Sequence, residues 1–365
     1  MSHLTTAQTP TQELHNAFWG QQDKGNAPVV GQVFVAASEA QGAHDEITAD
    51  CSENGSKVGN TKDTLELEIT ADCSENGSKV GNTKAPPGEA PPVFQYSPES
   101  VAGADGELEP NAVTFPGCSC RSRSCAPPEC PCLPRGHSYS GLCLRLPEQQ
   151  EQPFSRPVFE CNSLCCCGER CQNRLVQRGL QLRLQVFRTR RKGWGVRALE
   201  PIPRGSFVCE YAGEVLGFAE AQRRIQAQTP QEPNYIIAVR EHLHDGRVME
   251  TFVDPTRIGN VGRFLNHSCE PNLFMVPVRV DSMVPKLALF AATDISAGEE
   301  LSYDYSGRSH NVPGAGKEHK ALEEENSLRK PCYCGSRTCA AFLPWDSSLF
   351  STPANSPEPF NLKHT

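Results

Sequence analysis

The sequence has few of the features that would place the chain in a membrane or outside the cell. A membrane span needs about 20 consecutive apolar residues, whereas the longest apolar run, 27–37, is interrupted by Pro28, Gly31 and Gln32. The N-terminus also lacks a basic start followed by an apolar stretch, so no secretory signal peptide is predicted. We therefore expect a soluble intracellular protein whose 18 cysteines form no disulfides, because that compartment is reducing.

Basic and aromatic residues are scarce at the start of the chain. Residues 1–116 hold 17 Asp and Glu against 5 Lys and Arg, and they are rich in Gly, Pro, Ser and Thr. Such a segment buries too little apolar surface to offset its ordering entropy, so we predict disorder over 1–116. The later residues carry 26 acids and 30 bases, a balance that gives no strong electrostatic partner signal.

The acidic segment also contains an internal duplication, because residues 46–62 recur as 68–84. A solenoid needs about three or more repeats with a buried face, and these two copies are polar. A recent tandem duplication or a gene-model artefact is the interpretation we favour.

Eleven cysteines lie in residues 117–179, which have little apolar periodicity and need cross-links in place of an ordinary core. Nine of them can hold three zinc ions, because three bridging thiolates let nine ligands fill twelve tetrahedral positions. The nine predicted ligands are Cys118, Cys120, Cys125, Cys130, Cys132, Cys161, Cys165, Cys167 and Cys171. A disulfide-rich secreted module and a redox or metal-buffering role are the alternatives. Cys143 and Cys166 receive no role.

A smaller cysteine cluster occupies residues 331–347, after a charged linker at 307–330, and residues 348–365 are predicted to be disordered. It offers Cys332, Cys334 and Cys339, one ligand short of a tetrahedral zinc site. Cys269 is the best candidate for the fourth ligand, because its neighbours resemble a functional site and not a core. Cys209 lies in an apolar run and is interpreted as a buried packing thiol.

Residues 180–306 have the hydrophobic pattern of a mainly β domain with short strands in several small sheets. The predicted strands are 181–187, 195–199, 206–216, 235–240, 251–253, 273–281 and 286–291. One helix is predicted at 218–228, where Phe218, Ala221 and Ile225 share a face and Pro230 follows the end.

Four segments of this domain carry the pattern expected of a reaction centre. They are Lys192-Gly193-Trp194-Gly195, Glu210-Tyr211-Ala212-Gly213-Glu214, the run from Arg263 to Asn272 that contains Asn266-His267-Ser268-Cys269, and the run from Glu299 to Tyr305. In this order and spacing they resemble the SET-domain protein lysine methyltransferases, over residues 117–345. The two cysteine clusters then correspond to the family's pre-SET and post-SET zinc modules.

The resemblance implies a fold, a cofactor and roles for individual residues. The fold would be the SET fold of small sheets with a pseudoknot that contains Asn266–Cys269, and the cofactor would be S-adenosylmethionine. Cofactor contacts are implied for Lys192, Gly193, Trp194, Gly195, Tyr235, Arg263, Asn266 and His267. Catalytic positions are implied for Tyr305, Tyr303 and Tyr235, and the residue at 303 would influence how many methyl groups are added.

The residue types suit methyl transfer to a lysine amine. A dry, tyrosine-lined channel disfavours the charged amine, lets it deprotonate and orients it. A hydroxyl at Tyr303 would occupy room that a further methyl group needs, so mono- or dimethylation is expected over trimethylation. Glu210 and Glu214 could pass for paired catalytic carboxylates, but their apolar setting favours structural hydrogen bonds.

The family resemblance makes a lysine of histone H3 the expected substrate and the nucleus and chromosome the expected location. The protein would act as a monomer on an H3 tail or nucleosome, without sequence-specific nucleic-acid binding or membrane contact. A non-histone lysine substrate and a catalytically silent chromatin scaffold remain as alternatives. No Lys/Arg block stands out as an import signal, since 188–192 leads directly into the expected cofactor turn.

Overall fold

The computed structural model describes most of the chain from residue 92 to residue 344. The described ranges are 92–121, 124–127, 130–133, 136–146, 158–229, 233–243, 247–306 and 330–344, together with the backbone of 31–35 and 68–69. The linker expected at 307–330, except Lys330, and the tail expected at 348–365 lie outside these ranges. Within them, no helix is long and apolar enough to cross a membrane.

Strands dominate the described structure, and most of them are short. They are β1 (Gly31–Val35), β2 (Glu68–Ile69), β3 (Gln95–Tyr96), β4 (Val101–Ala102), β5 (Tyr139–Ser140), β6 (Cys143–Leu144), β7 (Val158–Phe159), β8 (Leu184–Arg188), β9 (Trp194–Ala198), β10 (Phe207–Glu210), β11 (Gly213–Leu216), β12 (Ile237–His242), β13 (Val248–Gly259), β14 (Asn266–His267), β15 (Leu273–Arg279), β16 (Lys286–Ala291) and β17 (Glu300–Tyr303). The helix α1 (Phe218–Ala227) and two 3-10 helices, Val176–Arg178 and Val261–Phe264, complete the list.

The strands form two large sheets and one hairpin over the described residues. One sheet has the order β1-β12-β13-β11-β4, with β3 also paired to β13. The other has the order β10-β16-β15-β17-β9-β8-β2, with β14 beside β17 and β7 beside β15. The apolar side chains of β8 to β17 form the main core, which includes Leu184, Val196 and Tyr303. The predicted mainly β class is therefore confirmed.

Each run predicted to be extended contains a strand, and the predicted helix is present. The run 206–216 divides into β10 and β11, because Tyr211 and Ala212 turn the chain between the sheets. The helix α1 ends at Ala227, and it buries Ala221 and Ile225 against Phe252 of β13. The strand β13 extends well beyond the predicted 251–253.

The prediction of disorder over 1–116 is wrong for residues 92–116. Here β3 and β4 add in parallel to β13 and β11, and Ser100 donates its hydroxyl and its backbone N–H to one carboxylate oxygen of Glu210. Phe115 is buried against Phe159 and Met249. The segment orders because the surface it covers belongs to the rest of the chain, a contribution that its own composition cannot reveal.

A fully buried ion pair joins the two sheets. Arg279 of β15 donates to Glu241 of β12 at 3.1 and 2.6 Å, and its Nε donates to the carbonyl of Met283 at 3.0 Å. Paired charges in such a dry setting fix the relative placement of the elements that carry them, because removal of either partner leaves an uncompensated buried charge.

Candidate active site and cysteine clusters

The centre of the candidate site is the short strand β14, which lies beside β17. Asn266 pairs with Ser302 and His267 with Tyr303 in parallel register. The chain stays attached after the strand, since Ser268 donates its backbone N–H to the carbonyl of Tyr303. The pairing brings the Asn-His-Ser-Cys and Tyr-Asp-Tyr motifs of the sequence together.

The orientation of the Asn266 amide is fixed by its neighbours. Its Nδ2 donates to the carbonyl oxygen of Trp194 and to Oε1 of Glu300, each at 3.0 Å. A flipped amide would place its oxygen against two acceptors, so the hydrogen-bonding pattern assigns Nδ2 to this side. The oxygen Oδ1 therefore faces the other way, as an acceptor for a ligand N–H.

The turn before β9 brings Lys192 to the same carboxylate. Nζ of Lys192 lies 2.7 Å from Oε2 of Glu300. Gly193 has a φ of +70°, a left-handed conformation that favours glycine. At Gly195 a Cβ would come within 3.0 Å of Oε1 of Glu300 and 3.1 Å of Nδ2 of Asn266. Gly193 thus suits the turn conformation, and Gly195 allows the close approach of the chain to Asn266.

Tyrosines form the wall next to this turn. The rings of Tyr303 and Tyr305 have centroids 4.9 Å apart, and those of Tyr211 and Tyr303 lie 6.2 Å apart. The hydroxyl of Tyr305 donates to the carbonyl of Leu265 at 2.8 Å. Burial, reinforced by the neighbouring Tyr235, raises the pKa of Tyr305, so its phenol stays protonated at neutral pH. It can orient an amine but does not act as a phenolate base.

Tyr235 and Arg263 lie together at the edge of this wall. The Arg263 guanidinium carbon is 4.5 Å from the centroid of the Tyr235 ring. The Tyr235 carbonyl accepts a hydrogen bond from the hydroxyl of Tyr211 at 2.6 Å. Burial lowers the pKa of Arg263, although the group stays charged at neutral pH. Such a desolvated cation would bind an anionic group of a ligand.

His267 connects the tyrosine wall to the second cysteine cluster. Its Nδ1 accepts the backbone N–H of Tyr305 at 3.2 Å, and its Nε2 lies 3.4 Å from Sγ of Cys269. A backbone N–H always donates, so the neutral ring carries its proton on Nε2 and donates it to the sulfur. Burial, with a smaller contribution from Lys192, lowers the pKa of His267 to about 4. The ring is therefore neutral at physiological pH and serves as a link, not as an acid.

Cys269 meets the three C-terminal cysteines. Its sulfur and those of Cys332, Cys334 and Cys339 all lie within 4.8 Å of one another. Sγ of Cys269 also accepts the backbone N–H of Ala340 at 3.4 Å. Four thiols at this separation match the ligand set of a tetrahedral zinc site.

The C-terminal segment also touches the turn before β9. The Arg191 guanidinium lies 4.0 Å from the ring centroid of Tyr333. Residues 341–343 fold back on 330–332, since Cys332 donates its N–H to the carbonyl of Ala341 and Leu343 donates to that of Lys330. Phe342 is exposed.

The N-terminal cysteines are also packed at distances that suit metal ligation. Sγ of Cys125 lies 3.6 Å from the sulfurs of both Cys118 and Cys161, and Cys132 lies 3.7 Å from Cys165. Two thiolates on one tetrahedral zinc, each at about 2.3 Å from the metal, lie about 3.8 Å apart, whereas a disulfide joins its sulfurs at about 2 Å. The described cysteines are all free thiols, so the spacing fits zinc and not disulfides.

Seven of the nine predicted N-terminal ligands fall into overlapping four-sulfur groups. These seven are Cys118, Cys120, Cys125, Cys130, Cys132, Cys161 and Cys167. The remaining two, Cys165 and Cys171, lie beside them, and their sulfurs accept backbone N–H groups of Cys118 and Cys125. Arg174 donates to Sγ of Cys167 at 3.7 Å, which partly offsets the rise that burial causes in the pKa of Cys167.

The remaining described cysteines belong to none of these groups. Cys143 is half-buried beside Ser206, and Cys166 is exposed. Cys209 is fully buried, and burial raises its pKa to about 12, as expected of a packing thiol. Glu210 and Glu214 bind Lys286 and Arg224. These carboxylates have structural partners, in agreement with the preferred interpretation.

Sequence reasoning missed two residues of the site. Glu300, which bonds both Lys192 and Asn266, follows another glutamate and resembles a solvated turn. Thr189 closes the turn before β9, because its Oγ1 accepts the N–H of Lys192 and donates to the carbonyl of Gly193. Its place four residues before Gly193 was a usable signal, since Thr favours such side-chain to backbone bonds in turns.

Known protein families and proteins of similar sequence share this arrangement of motifs. The SET domain family model matches residues 193–306, and the Pre-SET motif model matches residues 66–174. Histone-lysine N-methyltransferase SETMAR of Rattus norvegicus is 60% identical over 269 residues, which cover 73% of this chain and 84% of the rat protein. The chain belongs to the SET-domain histone-lysine N-methyltransferase family. The resemblance read from the sequence is confirmed.

Solved structures of this family agree with the fold. The methyltransferase domain of human SETMAR matches with a TM-score of 0.61 and 56% identity, and covers 72% of this chain and 93% of that one. The sequence resemblance to the methyltransferase half of SETMAR over 181–306 agrees with this match. KRYPTONITE, solved with mCHH DNA, an H3(1-15) peptide and SAH, matches with a TM-score of 0.50 and 32% identity over 68% of this chain and 47% of that one.

Replacement of Glu300 by Gln tests whether the Glu300 carboxylate organises the site. The variant keeps an acceptor for Asn266 but loses the ion pair with Lys192, so we expect roughly tenfold weaker binding of S-adenosylhomocysteine, equivalent to about 1.4 kcal/mol. Isothermal titration calorimetry measures this change. The exposed neighbour Glu299, changed to Gln, is the matched control. Equal affinities for the two variants would show that Glu300 does not organise the site.

Replacement of Cys339 by Ser tests the C-terminal cysteine cluster. Loss of one of four ligands should remove one metal ion per chain and abolish methyl transfer, because the segment that carries the ligands is then released. Native mass spectrometry and a transfer assay measure the two effects. Cys143→Ser, outside the clusters, should retain all metal and activity. Full activity of Cys339→Ser would refute the role given to this cluster.

Proposed function

We propose that the protein transfers methyl groups from S-adenosylmethionine to the side-chain amine of a lysine in histone H3. The observation that carries the proposal is the junction of β14 with β17, where the oriented Asn266 amide lies beside the tyrosine wall of Tyr303 and Tyr305. One side of the junction suits an amino acid-like cofactor, and the other suits an aliphatic amine.

The turn before β9 and β14 would hold the cofactor. Bound there, S-adenosylmethionine supplies an electrophilic methyl group on a sulfonium sulfur. Oδ1 of Asn266, which accepts no hydrogen bond from the described residues, suits the ammonium of its methionine part, and the cationic side chains of Lys192 and Arg263 suit the carboxylate. Gly193 and Gly195 let the backbone approach closely, while Trp194, Tyr235 and His267 complete the set proposed from the sequence.

The tyrosines would prepare and align the lysine. A free lysine amine has a pKa near 10.4, and a desolvated aromatic channel lowers it toward the neutral, nucleophilic form. Tyr305, held as a neutral phenol, would orient the lone pair of the nitrogen toward the methyl carbon, and Tyr303 and Tyr235 would line the channel. Alignment of this kind supplies much of the rate enhancement in a displacement reaction.

The cysteine clusters would hold structural zinc. We assign three ions to the nine cysteines of the pre-SET cluster and one ion to Cys269 with Cys332, Cys334 and Cys339. Thiolates fill every position, so the metal would cross-link the chain and take no part in the reaction. Through Cys269 the fourth ion would pin residues 341–343 over the lysine channel as a lid. Trp345, proposed as part of the same lid, lies outside the described residues.

The domain layout proposed on this basis follows the sequence with one change. The acidic segment ends before residue 92, the pre-SET module spans 117–179, the SET catalytic domain spans 180–306, and the post-SET module spans 331–347. Residues 92–116, which we call the brace, lie between the pre-SET module and the SET domain and contact both. The Pre-SET family model, which begins at residue 66, favours such an earlier start.

Histone H3 is the proposed substrate because relatives in the family are named for histone lysines and one is solved with an H3 peptide. A nuclear, chromosomal location follows from that substrate. We propose that the protein acts as a monomer on the H3 tail or nucleosome, without sequence-specific contact to nucleic acid. Methylation of a non-histone lysine, or a silent scaffold role, is the outcome that a negative assay would support.

Methyl transfer from labelled S-adenosylmethionine to nucleosomes and free H3 tests the proposal. We expect label on H3, at least about 10²-fold slower transfer by Tyr305→Phe, and a similar loss for Asn266→Ala, because each change removes one positioned polar group. The product masses should show mono- and dimethyl-lysine, since the Tyr303 hydroxyl restricts the channel. Absence of label with retained cofactor binding, or a mainly trimethylated product, would contradict the respective part of the proposal.

A further inference from the structure

Phe94 lies outside the SET domain but contacts a residue proposed to bind the cofactor. The Arg263 guanidinium carbon is 4.3 Å from the centroid of the Phe94 ring, slightly closer than its 4.5 Å approach to Tyr235. Phe94 also meets the ring of Phe264 edge to face at 5.7 Å. Arg263 therefore lies within cation–π range of one ring from the N-terminal brace and of two rings from the SET domain.

The polar contacts of Arg263 are weak by comparison. The guanidinium donates to the carbonyl oxygens of Pro92 and Thr256, each at 3.5 Å, and Nε has no hydrogen-bond partner among the described residues. The side chain is nevertheless buried. No ion pair of Arg263 is found in the described part of the chain, and the Asp254 carboxylate that acts on it at longer range is paired with Arg224. Aromatic faces thus provide most of its surroundings.

The brace holds Phe94 firmly against the SET domain. Directly after it, β3 pairs with Ile258 and Gly259, and Ser97 donates its backbone N–H to the carbonyl of Gly259 at 2.8 Å. Three residues further on, Ser100 is bonded to the buried Glu210. The ring position is therefore set by backbone pairing on its C-terminal side.

We propose that Phe94 is a positioning residue of the cofactor site, which holds the Arg263 guanidinium in place to meet the carboxylate of the cofactor. The inference rests on the proposed function. The negative face of the ring replaces water around a desolvated cation and leaves its N–H groups available to an anion. Phe94 touches neither the cofactor nor the lysine in this assignment.

The same contact links the brace to the tyrosine wall. Arg263 lies against Tyr235, whose carbonyl accepts the hydroxyl of Tyr211, and Tyr211 packs on Tyr303. A cofactor site completed in this way includes a residue from the region before the pre-SET cysteines.

Substitutions at Phe94 in the full chain test the inference. Phe94→Leu keeps an apolar side chain and removes the ring face, whereas Phe94→Tyr keeps the face. We expect Phe94→Leu to weaken binding of S-adenosylhomocysteine roughly 3- to 20-fold, as loss of a cation–π contact would. The KM for S-adenosylmethionine should rise by a similar factor with a smaller change in kcat. Phe94→Tyr should restore both values, and Val93→Ala, at a position 98% exposed, should match the wild type.

If the leucine variant fails to fold, fluorinated phenylalanines at position 94 test the cation–π contact instead. Each added fluorine weakens the negative face of the ring while its shape is nearly unchanged. Affinity that falls with every fluorine at a constant melting temperature supports the inference. Constant affinity through the series, or equal losses in the leucine and tyrosine variants, overturns it. Wild-type protein that binds no S-adenosylhomocysteine would instead contradict the proposed function.

Discussion

The parallel pairing of Asn266–His267 with Ser302–Tyr303 is the contact on which the rest of the site depends. Because of this pairing, four consecutive positions supply contacts to the turn before β9, to the tyrosine wall and to the C-terminal cysteine cluster. Asn266 faces the turn before β9, His267 accepts the backbone N–H of Tyr305, and Cys269 enters the C-terminal cysteine cluster. A shift by one residue would exchange the sides to which Asn266 and His267 point, and all three connections would be lost together.

The neutral state of His267 follows from this arrangement. Its two ring nitrogens contact a backbone donor and the sulfur of Cys269, so the ring fixes the tyrosine wall relative to the C-terminal cysteines. A protonated ring would have to give up the bond from Tyr305, because Nδ1 would then carry a hydrogen. The low pKa caused by burial therefore keeps the link intact at physiological pH.

In the cysteine-rich region, packed thiols form much of the buried interior. Outside the sulfur groups, Tyr139, Val158 and Val176 pack against side chains of β10, β15 and β16, and a single carboxylate, Glu160, connects segments within the region. Glu160 accepts the hydroxyl of Tyr139 and the backbone N–H groups of Leu175 and Val176 at 2.7–2.8 Å. The packed thiols and this one carboxylate thus connect the segments of a small region.

The sequence was sufficient to predict those parts of the structure that have a local signal. Strand periodicity predicted β8 to β12, and the hydrophobic face with Pro230 predicted α1. The order and spacing of the motifs placed Asn266 and Tyr305 in one predicted active site. The brace at 92–116 was missed because its strands are two residues long and pair with strands more than 100 positions away in the sequence. Glu300 was missed for a related reason, since its partners Lys192 and Asn266 meet it only in the folded chain.

The most direct test of this account is a crystal structure of the protein with S-adenosylhomocysteine. The account predicts that the ammonium of the ligand lies within hydrogen-bond distance of Oδ1 of Asn266 and that its carboxylate meets Lys192 or Arg263, with Tyr305 facing the sulfur. A ligand that binds away from the junction of β14 with β17, with the Asn266 oxygen still unoccupied, would contradict it.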